Sequence, residues 1–412
     1  MQMSLSRFLP LAAVLVAGAG CGTNQSGDLA TSKTGDLSQP LAERRAPDEE
    51  LIAACGDGLP FPGFELDLAR TPYLQRVTAT GTRVMWTGQP ELPRAVRVAP
   101  AGSAEMLSDG VLETAEVDGT TPPGGKRAWE AVVDQLQPDA IYCYSLFADQ
   151  TPVLAPAGFR TAPLPGTGSK VSFAAFGDSG SGSSDQMAIL DQLGTVPFRL
   201  MIHTGDIAYE SGTMTQFEDN YFAVYADLLR SFAMFPAIGN HDEGDIYRQV
   251  FDLPYAAPGH NWYSFDHGDV HFVALDTNEM NAAQADWLEA DLTANQREWI
   301  VVYGHHPPYS SGEHGSNTEF QQTFGPILEK HRVDLVLSGH DHDYERIAPQ
   351  NGVHYVVTGG GGRGTRAVGS SAFTEFSEAV LNFVYVEIEG NRLLLHAIDG
   401  DGTEFDQLLI EH

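Results

Sequence analysis

From residue 171 onward the chain repeats one pattern: a short apolar run, rich in β-branched and aromatic residues, stops on a glycine and a metal-binding side chain follows. Residues 171–176 end in Gly177-Asp178, residues 198–203 run on to Gly205-Asp206, and residues 232–238 end in Gly239-Asn240-His241. Further runs at 270–275, 299–303, 333–337 and 353–357 read as strands, while residues 187–193, 217–229, 282–294 and 320–331 read as helices. Strands alternating with helices predict an α/β domain over residues 168–412, and loops at the carboxyl ends of such strands are where these sheets hold ligands.

Five segments carry the chemistry: Gly177-Asp178-Ser179-Gly180, Gly205-Asp206-Ile207-Ala208-Tyr209, Gly239-Asn240-His241-Asp242, Val302-Tyr303-Gly304-His305 and Gly339-His340-Asp341-His342. In the first three and the last, glycine directly precedes the polar residue, so the backbone can turn sharply and pass close to an ion. One Gly-Asp is ordinarily a turn, and one His-x-His is ordinarily structural. Five in succession, each at a strand end, point to a site. All 14 histidines lie at or after His203, which confines imidazole chemistry to this half of the chain. No cysteine follows Cys143, which excludes a thiolate site or a cysteine nucleophile there. Ser179 has no base at fixed spacing and is not expected to act as a nucleophile. The glycine run at 359–362 lacks the Lys-Ser/Thr of a phosphate loop and reads as a tight turn. His203 is expected on a buried strand, and His306 either behind the site or exposed.

Residues 65–164 have a different texture, with short alternating runs broken by turns. Thr82 to Thr87 alternates with Val84 and Trp86 on one side, and 131–133 and 141–147 add strand-like stretches around a Gly/Pro/Thr-rich region at 119–125. Such spacing predicts an all-β antiparallel sandwich. With Trp86 on an early strand, Leu136-Gln137-Pro138 before Tyr142 and Tyr144, and Phe159-Arg160-Thr161-Ala162-Pro163 at the exit, the stretch resembles a fibronectin type III domain.

The five segments together resemble the purple acid phosphatase branch of the metallophosphoesterases, which also sets a fibronectin-like domain before the catalytic one. The resemblance implies a catalytic β-sandwich flanked by helices. It further implies one metal held by Asp178, Tyr209 and His342, a second held by Asn240, His305 and His340, and Asp206 bridging them. Two such ions sit ~3.5–4 Å apart and stabilise both attacking and leaving oxygens. Many metallophosphoesterases carry a histidine two places after the first aspartate; here Gly180 stands there and Tyr209 replaces it. A phenolate is a hard anionic donor and with two carboxylates favours Fe(III), whereas the second site suits a divalent Zn, Fe or Mn. The implied activity is phosphomonoester hydrolysis by in-line attack of a metal-bound hydroxide at acidic pH. His241 and His314 are the candidates to serve the leaving group. Plant members have a second histidine after the one matching His314, where this chain has Gly315. A phosphodiesterase or nucleotide phosphatase with the same metals is the alternative, and an inactive surface binding module is the alternative from another class. Tyr344-Glu345-Arg346 resembles a family segment supporting His340 and His342.

Charge bounds the partners. Against 23 Lys+Arg stand 55 Asp+Glu, a net charge of −32, which excludes nucleic-acid binding through a basic surface. A small phosphorylated substrate must therefore be captured by local positive charge. A cationic metal pair supplies it, since salt confines the repelling field to about 8 Å. At the other end, Arg7 followed by an apolar run over residues 8–19 reads as an export signal over residues 1–20, too short to span a bilayer. Small residues before Cys21 resemble a bacterial lipoprotein signal, with ordinary cleavage as the alternative. Either implies an extracellular, periplasmic or lipid-anchored protein that meets a membrane only through lipid on Cys21. Residues 21–64, rich in Gly, Ser, Thr, Asp and Pro, read as a flexible tether. If Cys21 carries lipid, Cys55 and Cys143 remain as an even pair, and export favours a disulfide between them. Nothing in the sequence specifies an oligomer.

Overall fold

The computed structural model describes Ser38, Leu41 and residues 44–61, 68–88, 95–102, 111–112, 114–116, 127–148 and 151–412. The expected export signal and Cys21 lie outside the described residues. Among the described residues no helix is long and apolar enough to cross a membrane. Among the described residues, the stretch expected as a tether contains the helix Glu49–Cys55. Leu51 and Cys55 are its buried face, and Cys55 is joined to Cys143 by a disulfide, so apolar contact and a covalent link hold what composition alone reads as loose.

The N-terminal half builds two antiparallel sheets. One orders Leu68–Gln75, Thr82–Gly88, Arg127–Val133 and Thr114–Glu116; the other carries Val111–Leu112, Ala95–Pro100, Ile141–Ala148 and Thr151–Pro152, with Ala157–Arg160 pairing the Ile141–Ala148 strand. Val84 and Trp86 are fully buried as the alternation predicts, and Met85 between them is buried too, so this strand is covered on both sides. This half is pinned to the C-terminal half by buried polar contacts. Arg70 donates to Glu218 (Nε–Oε1 2.8 Å) and lies over the Phe222 ring, and the Tyr144 hydroxyl donates to the Arg230 carbonyl at 2.7 Å.

The C-terminal half is two facing mixed sheets. The first runs Met234–Pro236, Leu200–His203, Val171–Phe176, Asn382–Glu389, Arg392–Asp399, Glu404–Glu411; its first three strands are parallel and the rest antiparallel. The second runs Tyr263–His267, Val270–Ala274, Trp299–Tyr303, Leu335–Ser338, Val353–Thr358, Tyr344–Gln350, Thr374–Glu378, with a four-strand parallel centre. Aromatic rings fill the space between them: Phe173 meets Phe272 edge-on at 5.3 Å, and Phe235 stacks on Phe265 at 3.8 Å. On the far side of the second sheet, Leu288 and Leu292 of the helix Ala282–Ala294 pack with Phe320, Phe324 and Leu328. The helix expected over 320–331 is two, Thr318–Thr323 and Gly325–Lys330, because Pro326 lacks an N–H and restarts the helix at its first turn. The helix expected over 217–229 is likewise broken, into Met214–Phe217, a five-residue π turn and Ala226–Leu229.

Both sheets end their parallel strands at the same edge. The loops after Val171–Phe176, Leu200–His203 and Met234–Pro236 therefore meet those after Trp299–Tyr303, Leu335–Ser338 and Val353–Thr358.

Candidate metal centre

At this meeting point the strands give way to turns that the sequence can make only at some conformational cost. Asp178, Asp206 and His340 sit in the left-handed region (φ 57°, 57° and 70°), which costs an L-residue about 1 kcal/mol or more and persists where neighbours hold it. The neighbours are identifiable. Asp178 Oδ2 accepts the His340 N–H at 2.8 Å, Asp206 Oδ1 accepts the His241 N–H at 2.8 Å, and buried Asp242 accepts from Ile207, Ala208 and Gly239 N–H groups. Close approach demands the glycines. A Cβ on Gly239 would stand 2.1 Å from both the backbone nitrogen and the carboxylate of Asp206.

All seven side chains predicted to ligate metals come together. Tyr209 Oη lies 3.0 Å from Asp178 Oδ1 and 3.2 Å from His342 Nε2. His305 Nε2 lies 2.9 Å from Asn240 Oδ1, 3.1 Å from His340 Nδ1 and 3.4 Å from Asp206 Oδ2. Asp178, Asp206 and His305 each offer one ligand atom within 4.8 Å of the others. Burial is graded: Asp178 and His305 are fully buried, His340 half-buried, and Asn240 exposed, so the centre opens toward Asn240.

The donor set fits a cation. His305 Nδ1 is 3.0 Å from the Thr204 carbonyl, which can only accept, so Nδ1 carries its proton and the Nε2 lone pair faces three other electron-rich atoms. Positive charge must sit among them, as a proton or as a metal. Burial depresses His305, but the carboxylates of Asp206 and Asp178 outweigh it and hold the imidazole up at about 9. Burial keeps His340 and His342 neutral, at about 2 and about 3, the latter helped by the Arg366 charge; neutral imidazoles are the form that ligates metal. Burial and then the charges of Asp178 and Asp206 push the Tyr209 phenol far up, so only a cation can draw off its proton. Asp178 is raised by burial, its largest effect, and further by Asp206.

The two leaving-group candidates flank the opening. His241 Nδ1 is 2.8 Å from the Glu210 carbonyl and therefore donates there, leaving Nε2 free. His314 is exposed; its ring stands 4.2 Å from that of His340 and its Nε2 meets Arg366 Nη1. An arginine can only donate, so this nitrogen accepts.

Three features were not legible in advance. Ser179 does have a histidine partner, His203 Nε2 at 2.8 Å, which spacing could not reveal because the two meet across neighbouring parallel strands. Yet His203 Nδ1 accepts the Gly205 N–H, both residues are fully buried, and burial lowers the imidazole to about 3. Its Nε2–H then donates to Ser179, so it is no base and the pair is structural. Second, the run at 359–362 is not merely a turn. Gly361 donates to the Gly177 carbonyl at 2.9 Å and bridges the two sheets, with Cβ space denied by that carbonyl at 2.2 Å. Third, this bridge delivers two arginines, Arg363 and Arg366, to the rim; their N–H groups bond the Asp178 and His342 carbonyls at 2.8 and 2.9 Å. His306, whose ring lies 4.4 Å from that of His340, bonds Thr277 through Nδ1 and backs the site.

Known proteins are similar to this chain in sequence and in overall fold. The calcineurin-like phosphoesterase family matches residues 171–344, which hold all seven side chains. An uncharacterized protein of Mycobacterium tuberculosis is 25% identical over 403 residues, spanning 85% of this chain and 72% of its own. Purple acid phosphatase 3 of Arabidopsis thaliana is 28% identical over 237 residues, 48% of this chain and 64% of its own. Among solved structures, a purple acid phosphatase from yellow lupin seeds superposes with a TM-score of 0.72 at 20% identity, over 82% of this chain and 74% of its own. Residues 171–344 thus match the calcineurin-like phosphoesterases, and the chain is similar in sequence and in fold to purple acid phosphatases.

Proposed function

We propose that the protein is a binuclear-metal acid phosphatase that hydrolyses phosphomonoesters. Asp178, Tyr209 and His342 hold Fe(III), Asn240, His305 and His340 hold a divalent Zn, Fe or Mn, and Asp206 is shared. One observation carries the reading: the Tyr209 hydroxyl stands between Asp178 Oδ1 and His342 Nε2, giving a hard, oxygen-rich set beside the imidazole-rich set around His305. When bound, two cations supply Lewis-acid charge for the phosphoryl oxygens and lower the pKa of water.

The chain's own residues do the rest. Thr204 orients His305 through Nδ1, and the Asp242 carboxylate fixes the loops bearing Asp206 and Asn240 to each other. His241, with Nδ1–H committed to a carbonyl, presents Nε2 to a departing alkoxide and in its imidazolium form is suited to protonate it from that nitrogen. His314, which accepts from Arg366, lacks a proton to give at that nitrogen. We extend the reading to the rest of the chain: an exported protein, lipid-anchored through Cys21 or freely released, with a fibronectin type III-like domain over residues 65–164. The two antiparallel sheets of that half support the last assignment.

The test is turnover of p-nitrophenyl phosphate against its bis-ester, with a visible spectrum of the iron-loaded protein. Preferential monoester cleavage and a violet phenolate-to-iron band lost in Tyr209→Phe are expected. Cleavage of the bis-ester alone, or a colourless, iron-free, fully active enzyme, would remove the assignment.

A further inference from the structure

Asp341 stands between the candidate ligands His340 and His342, and Asp343 and Glu345 follow; all three acidic residues are fully buried, and none is among the seven candidate ligands. Two of them hold down the segment that carries His314. Asp341 accepts the His314 N–H through Oδ1 at 2.8 Å and the Ser310 hydroxyl through Oδ2. Glu345 accepts the Ser311 N–H at 2.6 Å and the Thr374 hydroxyl. Asp343 accepts nothing: neither carboxylate oxygen has a hydrogen-bond partner among the described residues. A carboxylate taken out of water is ordinarily met by donors or a cation, because its desolvation is otherwise uncompensated. The neighbouring charges add to that cost. Asp341, Glu345 and Asp178 repel Asp343, and the Arg366 guanidinium that opposes them is engaged with His314 and Glu313.

A glycine keeps the gap beside Asp343 open. A Cβ on Gly312 would stand 2.5 Å from Asp341 Cγ and 2.7 Å from Asp343 Oδ2, so two carboxylates converge on one small volume. The Ser310 hydroxyl, which donates to Asp341 and accepts the Gly312 N–H at 2.9 Å, borders it with a lone pair unused. These donors are all oxygens, two of the groups are anionic, and no imidazole nitrogen or thiolate joins them. Such a set suits a hard divalent cation rather than zinc or copper. Calcium accepts carboxylate, hydroxyl and carbonyl oxygens at irregular angles, whereas magnesium demands a regular octahedron.

We infer that Asp341 and Asp343, with the Ser310 hydroxyl, form a calcium site separate from the binuclear centre, and that its occupant clamps residues 310–316, and with them His314, onto the loop bearing His340 and His342. The site stands independently of the phosphatase reading.

The experiment uses the full chain loaded with iron and zinc, so that the binuclear centre is closed to calcium. Equilibrium dialysis measures binding and thermal unfolding measures its effect, with magnesium at equal concentration controlling for screening of the −32 net charge. One calcium per chain is expected, with a dissociation constant on the order of 10⁻⁴–10⁻³ M, the range of extracellular calcium modules. At about 10 mM calcium the wild-type Tm is expected to lie about 2 °C or more above its value in magnesium. Amide exchange over residues 310–316 is expected to slow in calcium and not in magnesium. Asp343→Asn, which keeps the shape and removes the charge, is expected to unfold no earlier than wild type without calcium and earlier than wild type with it. Gly312→Ala, which fills the gap and leaves both carboxylates in place, is expected to lose the calcium response too. Equal responses to calcium and magnesium, a response retained in either variant, or a wild-type chain that binds no calcium overturns the site. So does an Asp343→Asn protein more stable than wild type at every calcium concentration, which marks a neutral buried acid. If neither variant folds, dialysis of the wild-type chain decides alone.

Discussion

Gly180 shows how one residue sets the chemistry of the centre. A Cβ here would stand 1.7 Å from the Ile207 carbonyl oxygen and 2.8 Å from the Ala208 nitrogen. The Gly180 carbonyl in turn accepts the Tyr209 N–H at 2.8 Å. The absent side chain lets the first two ligand loops close on each other, and that closure aims the phenol at Asp178. Gly180→Ala is expected to force these loops apart, costing at least about 1–3 kcal/mol of stability and about a hundredfold in kcat through misplacement of Tyr209. Thermal unfolding and turnover measure the two separately; a variant with wild-type values in both would show that the loops have slack. The seven candidate ligands were legible as residue types at strand ends. The arginines were not, since an arginine after a glycine run carries no signal of what lies across the fold.

Between elements, the strand Val270–Ala274 is fastened to its neighbours by a charged histidine. His271 bonds Asp266 of Tyr263–His267 at 2.7 Å and Asp291 of Ala282–Ala294 at 2.9 Å, with its side chain 9% exposed. Burial works against its charge, but the two carboxylates prevail and raise it to about 9 from an ordinary value near 6.5. Because the folded value is the higher one, its stabilisation of roughly 3 kcal/mol is complete below about pH 6.5 and disappears as pH rises through 9. His271→Gln should destabilise the protein at pH 6 and match wild type above pH 9.5 in denaturant titrations; a pH-independent difference would mean packing, not charge. The central strands and the helix Ala282–Ala294 were readable from run length and helical periodicity. The closing meander Asn382–Glu389, Arg392–Asp399 and Glu404–Glu411 was not singled out, although Gly390-Asn391 between its first two strands is a two-residue hairpin signal. Broken helices were missed for a local reason, since periodicity continues through Pro326 while hydrogen bonding does not.

At the scale of the molecule, strong negative charge surrounds a mouth lined by arginines. Long-range repulsion should slow the encounter with any phosphate, while the contact region attracts it. Raising NaCl from about 10 to 150 mM, which shortens the Debye length from about 30 to 8 Å, is expected to increase kcat/KM for p-nitrophenyl phosphate. A fall with salt would mean that the arginines, not the bulk charge, govern approach. The centre is also assembled from two partners: Asp178, Asp206, Tyr209 and Asn240 hang from one sheet, and His305, His340 and His342 from the other. Their alignment is kept by the aromatic layer between the sheets, where Phe173 meets Phe272 and Phe235 stacks on Phe265. Oily residues far from the mouth thus act as the spacer of a vice whose two jaws are the sheets. Trimming one of those rings would shift the grip before it loosened the fold, so some lesions of activity should map to positions that no substrate ever touches.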